Sequence, residues 1–119
     1  MSIEKEINTA LCNDALLVKL LAEGTDSIFE GYAPDKGVYP MVVFSNISDV
    51  PVMAADDREM ARQVTIQISI ITEFGDYEEM EARIKVIMED LGFARLSSIT
   101  MREQDARMRI IRYVIGLEE

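Results

Sequence analysis

The stretch Arg62–Thr72, RQVTIQISIIT, alternates with a period of two: Val64, Ile66, Ile68 and Ile70 fall on one side, Thr65, Gln67 and Ser69 on the other. A strand sends successive side chains to opposite faces, whereas a helix would scatter these residues around its axis. The stretch is therefore a strand buried on one face and polar on the other. At about 3.3 Å per residue it spans about 36 Å, beyond the roughly 17–20 Å of a usual strand. A strand that long overshoots a small core, and its edges must be covered, charged or paired. Pairing with a second subunit is one economical answer.

The other elements arrange themselves around this one. Ser2 precedes Ile3, Ile7, Ala10 and Leu11 at helical spacing, and Asn13-Asp14 interrupts that pattern before Ala15, Leu16, Leu17, Val18, Leu20 and Leu21. This predicts one broken helical unit over 3–22, capped at Ser2, recapped at Asn13 or Asp14 and stopped at Gly24, with Leu17, Leu20 and Leu21 toward the sheet. Ile28-Phe29 reads as a short strand, 31–38 as a loop with two glycines and a proline, and Met41–Ile47 as a strand entered through Pro40. Asp49–Met60 reads as a long polar connection, mobile in the isolated subunit over 50–60. Asp76 and Glu79 resemble a capping box ahead of the apolar stripe Tyr77, Met80, Ile84, Ile87, Met88 and Leu91, which Gly92 ends. Strands over about 94–102 and 107–117, joined by EQDA, complete the chain. The order α-β-β-β-α-β-β predicts an α+β fold, a mainly antiparallel sheet of four to five strands with helices packed on one face. The 119 residues fit one domain, 1–119.

Composition narrows the function. The chain has no histidine and one cysteine, Cys12. A hydrolase triad lacks its base and zinc lacks its usual ligands, so no metal and no cofactor is expected. EGYAPDKG lacks the spacing of a phosphate-binding loop, and Asp35-Lys36-Gly37 reads as a turn. Cys12 reads as a small buried hydrophobe, which fits a reducing compartment. The net charge of −10 argues against a phosphate-backbone or anionic-membrane partner. The N-terminus, MSIEKEI, lacks a signal-peptide core, and no apolar run reaches the length of a membrane span.

Charge is distributed unevenly. The last strand pair carries Arg95, Arg102, Arg107, Arg109 and Arg112, while the helix ahead of it carries acids that include Glu78 and Glu81. Solvated faces account for such runs in most proteins. The alternative expectation is a subunit contact in which arginines of one copy meet the acidic helix of the next. A second expected contact is the connection bearing Asp56, Asp57, Arg58 and Glu59, against a neighbour or a channel lumen. With Arg58 among these acids and no calcium-loop pattern, a cation site is not expected.

The segment VYPMVVFSNISDVPV, 38–52, resembles the recurring YPYVVF…ISDVP segment of small phage and prophage tail-completion proteins, the tail terminators or minor tail protein U-like proteins. The likeness continues outward through ALLVKLLAEG, the Tyr32-Ala33-Pro34 loop, RQVTIQISIIT, the following helix and the terminal strand pair. Met41 stands where the family pattern has an aromatic residue after proline. The resemblance implies a structural, non-enzymatic protein that caps the tail tube, ends its elongation and helps join tail to head. It implies a homo-oligomeric ring, commonly a hexamer, with the tail-tube protein and a head-completion or connector protein as partners. Its expected place is the virion tail, after assembly in the host bacterial cytoplasm. The competing class is a cytoplasmic α+β ligand-binding or regulatory module that uses the apolar space between sheet and helix.

Overall fold

The computed structural model describes residues 2–34, 37–53, 59–103 and 105–118. The Ser2 hydroxyl accepts the Lys5 backbone N–H at 3.2 Å and starts α1 (Ile3–Cys12). Ile3, Ile7 and Leu11 form its buried face, the i, i+4, i+8 stripe of an amphipathic helix. The Asp14 carboxylate accepts the Leu17 N–H at 2.8 Å and starts α2 (Ala15–Leu20). That helix stops before the expected Gly24, because Leu21 turns extended, with ψ 151°, and buries its side chain. Gly24 instead opens a 3-10 turn (Gly24–Ser27) at φ 60°.

Five strands follow: β1 (Ile28–Glu30), β2 (Met41–Met53), β3 (Glu59–Thr72), β4 (Ala94–Glu103) and β5 (Ala106–Glu118), with α3 (Glu78–Asp90) between β3 and β4. They form one sheet in the order β1-β2-β3-β5-β4. The short β1 joins β2 in parallel, and every other pairing is antiparallel. This is the expected α+β architecture, with β3 at its centre. The alternating residues Val64, Ile66, Ile68 and Ile70 are each fully buried. They meet Val42 and Phe44 of β2, Ile111 and Tyr113 of β5, and Met80, Ile84, Ile87 and Met88 of α3 in one core. Each such aliphatic side chain, taken from water to full burial, contributes about 1.5–3 kcal/mol. The length of β3 also sets the shape of the molecule, whose longest axis is 51 Å.

Two further expectations are corrected. Residues 49–60 do not form one long connection: β2 runs on to Met53 with Asp49 opposite Val64, Val50 opposite Gln63 and Pro51 opposite Arg62. Pro51 is tolerated there because β1 covers β2 only over Val42–Phe44. Farther along, that edge of β2 carries no partner among the described residues, so a missing N–H costs no ladder bond. Glu59, expected in the connection, opens β3 opposite Met53. Residues 54–58, and with them Asp56, Asp57 and Arg58, lie outside the described residues.

The capping box at Asp76 does not form either. α3 begins at Glu78 behind Tyr77, which lies in the helical region and makes no side-chain cap. The turn closes one step earlier, where Thr72 Oγ1 accepts the Gly75 N–H at 2.8 Å and Gly75 takes φ 92°. That left-handed backbone is one glycine adopts without a Cβ penalty. Glu78, Glu79 and Glu81 occupy the first turn of α3, where they favour the positive end of the helix dipole.

Polar contacts tie the layers together. Arg83 of α3 holds the Asp14 carboxylate at the start of α2. Asn46 Nδ2 of β2 donates to Glu4 Oε1 of α1 at 2.9 Å. Both carboxyls sit below their ordinary pKa: Asp14 because Arg83 hydrogen-bonds it, Glu4 because Asn46 does.

Candidate assembly surface

The helices cover one face of the sheet and leave the other open. On the open face the register sets Met41, Ile71, Met108 and Met101 side by side in one row, and Val43, Ser69, Ile110 and Ile99 in the next. Met41 and Val43 are buried, Ile71, Met108 and Ile110 are half-buried, and Ile99 and Met101 are exposed. The apolar character thus grows more exposed toward β4. Among the described residues that strand pairs with β5 alone; it is exposed along almost its whole length and presents Leu96, Ile99 and Met101 to solvent. An unpaired edge of this kind is a template for another chain.

The arginines singled out in the sequence take separate positions. Arg109 points to the helix side. Its Nε donates to Glu81 Oε1 at 2.9 Å, its Nη2 to Glu81 Oε2 at 3.4 Å and to Ser98 Oγ at 3.1 Å, and its Nη1 to Thr100 Oγ1 at 3.0 Å. Its guanidinium lies 5.2 Å from the centroid of the Tyr77 ring, a cation–π distance. The hydrogen bond Arg109 donates to Glu81 raises the pKa of the guanidinium. Basic strand and acidic helix do meet, but Arg109 and Glu81 meet inside one chain. Arg95 lies 3.8 Å from the same Glu81 and is half-exposed. Arg107 Nη1 donates to the Phe74 carbonyl at 2.8 Å. Arg112 Nε donates to Gln67 Oε1 at 3.2 Å on the open face. Arg102 and Glu78 are exposed.

A groove of about 640 Å³ opens between the start of α3 and the end of β3. Leu20, Tyr39, Pro40, Phe74 and Met80 form its apolar part, and Glu73, Asp76, Glu78 and Glu79 its acidic rim. Phe74 is 71% exposed, yet its loop is held by Arg107 at the carbonyl and Thr72 at the next amide. The sequence reading passed over Phe74 and the groove. The signal available was one aromatic residue between Glu73 and Gly75, and the contact that holds its backbone, from Arg107, is tertiary.

The space between sheet and α3 is not a ligand cavity among the described residues. Ile66, Ile68, Ile84 and Met88 fill it with no exposure. Nor do the described residues include a cluster of His, Cys, Asp or Glu able to hold a metal ion. Among them, no helix is long and apolar enough to cross a membrane. Cys12 is half-buried, and burial pushes its thiol pKa up.

The family model described as tail completion protein gp17 matches residues 5–110. No curated protein matches the sequence. Among solved structures, a chain from a "virion of native gene transfer agent (GTA) particle" is similar, with a TM-score of 0.68 and 15% identity. The likeness spans 99% of this chain and 96% of that one, so the whole fold is shared, not a fragment of it.

Proposed function

The chain belongs to the tail completion protein gp17 family, and on that premise we propose that it is a structural protein of a phage or prophage tail. In this reading it caps the last ring of the tail tube, ends tube elongation and helps join the tail to the head. It acts as a homo-oligomeric ring, with six copies the expected number. Its partners are its own neighbours, the tail-tube protein and a head-completion or connector protein. Its place is the virion tail, after assembly in the host cytoplasm.

The observation that carries the reading is the family match across residues 5–110. The geometry supports it in kind. A sheet whose open face exposes Ile99 and Met101 toward β4, with that edge strand unpaired on its outer side among the described residues, leaves surface that association would bury. The interior is filled by apolar side chains of sheet and helices among the described residues, which fits a building role. A ring of subunits each carrying −10 would repel DNA phosphates and let DNA pass a central channel without adhering.

The test is to inactivate the gene in its phage or prophage and image the tails. Tubes of uncontrolled length, detached from heads and restored to normal by the wild-type chain, are the expected result. Tails of normal length joined to heads would refute the reading.

A further inference from the structure

We propose that the acidic groove beside Phe74 receives the Arg95-Leu96 corner of a second copy of this chain. The inference rests on the ring reading above and names the surfaces that would meet in it.

The groove is built to take an apolar side chain next to a cation. Its apolar residues converge from α2, the approach to β2, the β3–α3 loop and α3 itself, and its four rim charges are all carboxylates. Phe74 and Tyr39 remain exposed within it. The backbone around Phe74 is held, because Arg107 and Thr72 bind the loop on either side of it. The aromatic side chain has few rotatable bonds to freeze on binding, and buried aromatic anchors carry a disproportionate share of interface energy.

The same chain carries the complementary feature. The register of β4 on β5 shifts between Arg95 and Ser97, so Leu96 sits in a bulge, which bends the strand and re-aims its side chain. Leu96 is 59% exposed. Arg95 next to it keeps only the loose contact with Glu81, at 3.8 Å, and half of its side chain is exposed. This corner follows the C-terminal end of α3, whereas the groove lies at its N-terminal end. Ser97 beside this corner pairs with Arg112, which pairs with Gln67, five residues along β3 from Thr72 in the groove, about 17 Å at 3.3 Å per residue. The Arg95 guanidinium, 3.8 Å from Glu81 in the first turn of α3, reaches back toward the groove. Two distinct patches on one protomer give a head-to-tail contact, which forms a ring when the rotation between neighbours closes.

The test uses the full chain and four variants: Phe74→Ser, Leu96→Asp, Glu79→Arg and Arg95→Glu, with the last two also combined. Melting followed by circular dichroism reports the fold. Sedimentation across a concentration series reports association, and negative-stain images of purified tails report the ring. Phe74→Ser and Leu96→Asp are expected to melt like the wild type and to weaken association roughly tenfold or more. Glu79→Arg and Arg95→Glu are each expected to weaken it, and the combined variant to regain part of the loss. That recovery identifies the contact even if a single variant melts lower. A wild-type ring with all variants assembling normally would overturn this contact and leave the ring reading standing. Variants that form rings but fail to join tails would assign the groove to another virion protein, and would also overturn it. A wild-type chain present as a single copy in solution and in purified tails would overturn the ring reading itself.

Discussion

Arg109 and Glu81 close a two-pronged ion pair within one chain, Nε to Oε1 at 2.9 Å and Nη2 to Oε2 at 3.4 Å. Both side chains are about four-fifths buried, at 20% and 18% exposure. The pair joins the start of β5 to the first turn of α3, and Ser98 and Thr100 fasten it to β4. It therefore holds three elements together. Arg109→Glu should destabilise the subunit by about 2 kcal/mol or more, since hydrogen bonds to charged groups contribute roughly 1.5–3 kcal/mol. Arg112→Glu, on the exposed open face, should leave stability within about 0.5 kcal/mol. Urea unfolding of the two single variants separates these outcomes. Equal midpoints would show that the Arg109 pair contributes nothing to the fold.

Asp14 serves α2 twice, as cap to Leu17 and as partner to Arg83. Asp14→Ala should lower stability by about 1–2 kcal/mol from the loss of the cap alone. The pair also sets a pH dependence. The hydrogen bond from Arg83 lowers the carboxyl pKa below the ordinary aspartate range. A depressed folded-state pKa gives stability that is fully present above the unfolded value and is lost as pH falls through the folded one. Wild type should thus lose stability below about pH 4, more steeply than Asp14→Asn. Parallel acid titrations of the two proteins would expose an error as superimposable curves.

Tyr113 is fully buried and its hydroxyl has no partner among the described residues. Removing a buried hydroxyl that makes no hydrogen bond also removes its desolvation cost, so Tyr113→Phe should be neutral or stabilising by up to about 1 kcal/mol. Burial pushes the phenol pKa from 10.0 up to about 12. A raised folded-state value favours the neutral phenol. The stability it confers is complete below the unfolded pKa and is lost as pH climbs from 10 toward about 12. Alkaline difference spectra of wild type and Tyr113→Phe should show no contribution from this ring near pH 10. A normal titration there would contradict the burial.

Gly75 takes φ 92°, and a Cβ added to it would approach Arg107 Cδ at 3.3 Å. Gly75→Ala should cost about 1–2 kcal/mol from the left-handed backbone. It should also disturb the arginine that holds the Phe74 carbonyl. Calorimetry measures the first effect, and association of the variant the second. A variant that melts and assembles like wild type would show that the loop needs neither.

The open face and the unpaired edge of β4 make an exchange prediction. Amides of β3 between Val64 and Ile70, paired on both sides, should exchange only on global unfolding, with β4 opening earlier. Assembly through the β4 corner should then slow exchange around Arg95–Ser98 in tails. Hydrogen exchange of free and assembled protein tests both statements, and protection of β4 as high as that of β3 in the free subunit would refute the first.

By itself, the sequence determined the features that depend on local period and local chemistry. Four apolar residues at every second position in 64–70 could only be one face of a buried strand, and the stripe from Met80 to Met88 could only be a helix over it. Ser2 and Asp14 cap helices because their acceptors reach amides three residues along the same chain. The absence of histidine removed whole classes of chemistry before any fold was known. Tertiary structure decided the features that depend on partners distant in sequence. Pro51 belongs to a strand because Arg62 lies opposite and one edge is open. Asp76 loses the cap because Thr72 and Gly75 have already closed the turn. Arg109 and Glu81, 28 residues apart, spend their charges on each other, while Arg107 fixes the loop that exposes Phe74. Side-chain periodicity is a property of one segment, whereas the neighbour that satisfies a charge or covers an edge is known only when the segments have been brought together.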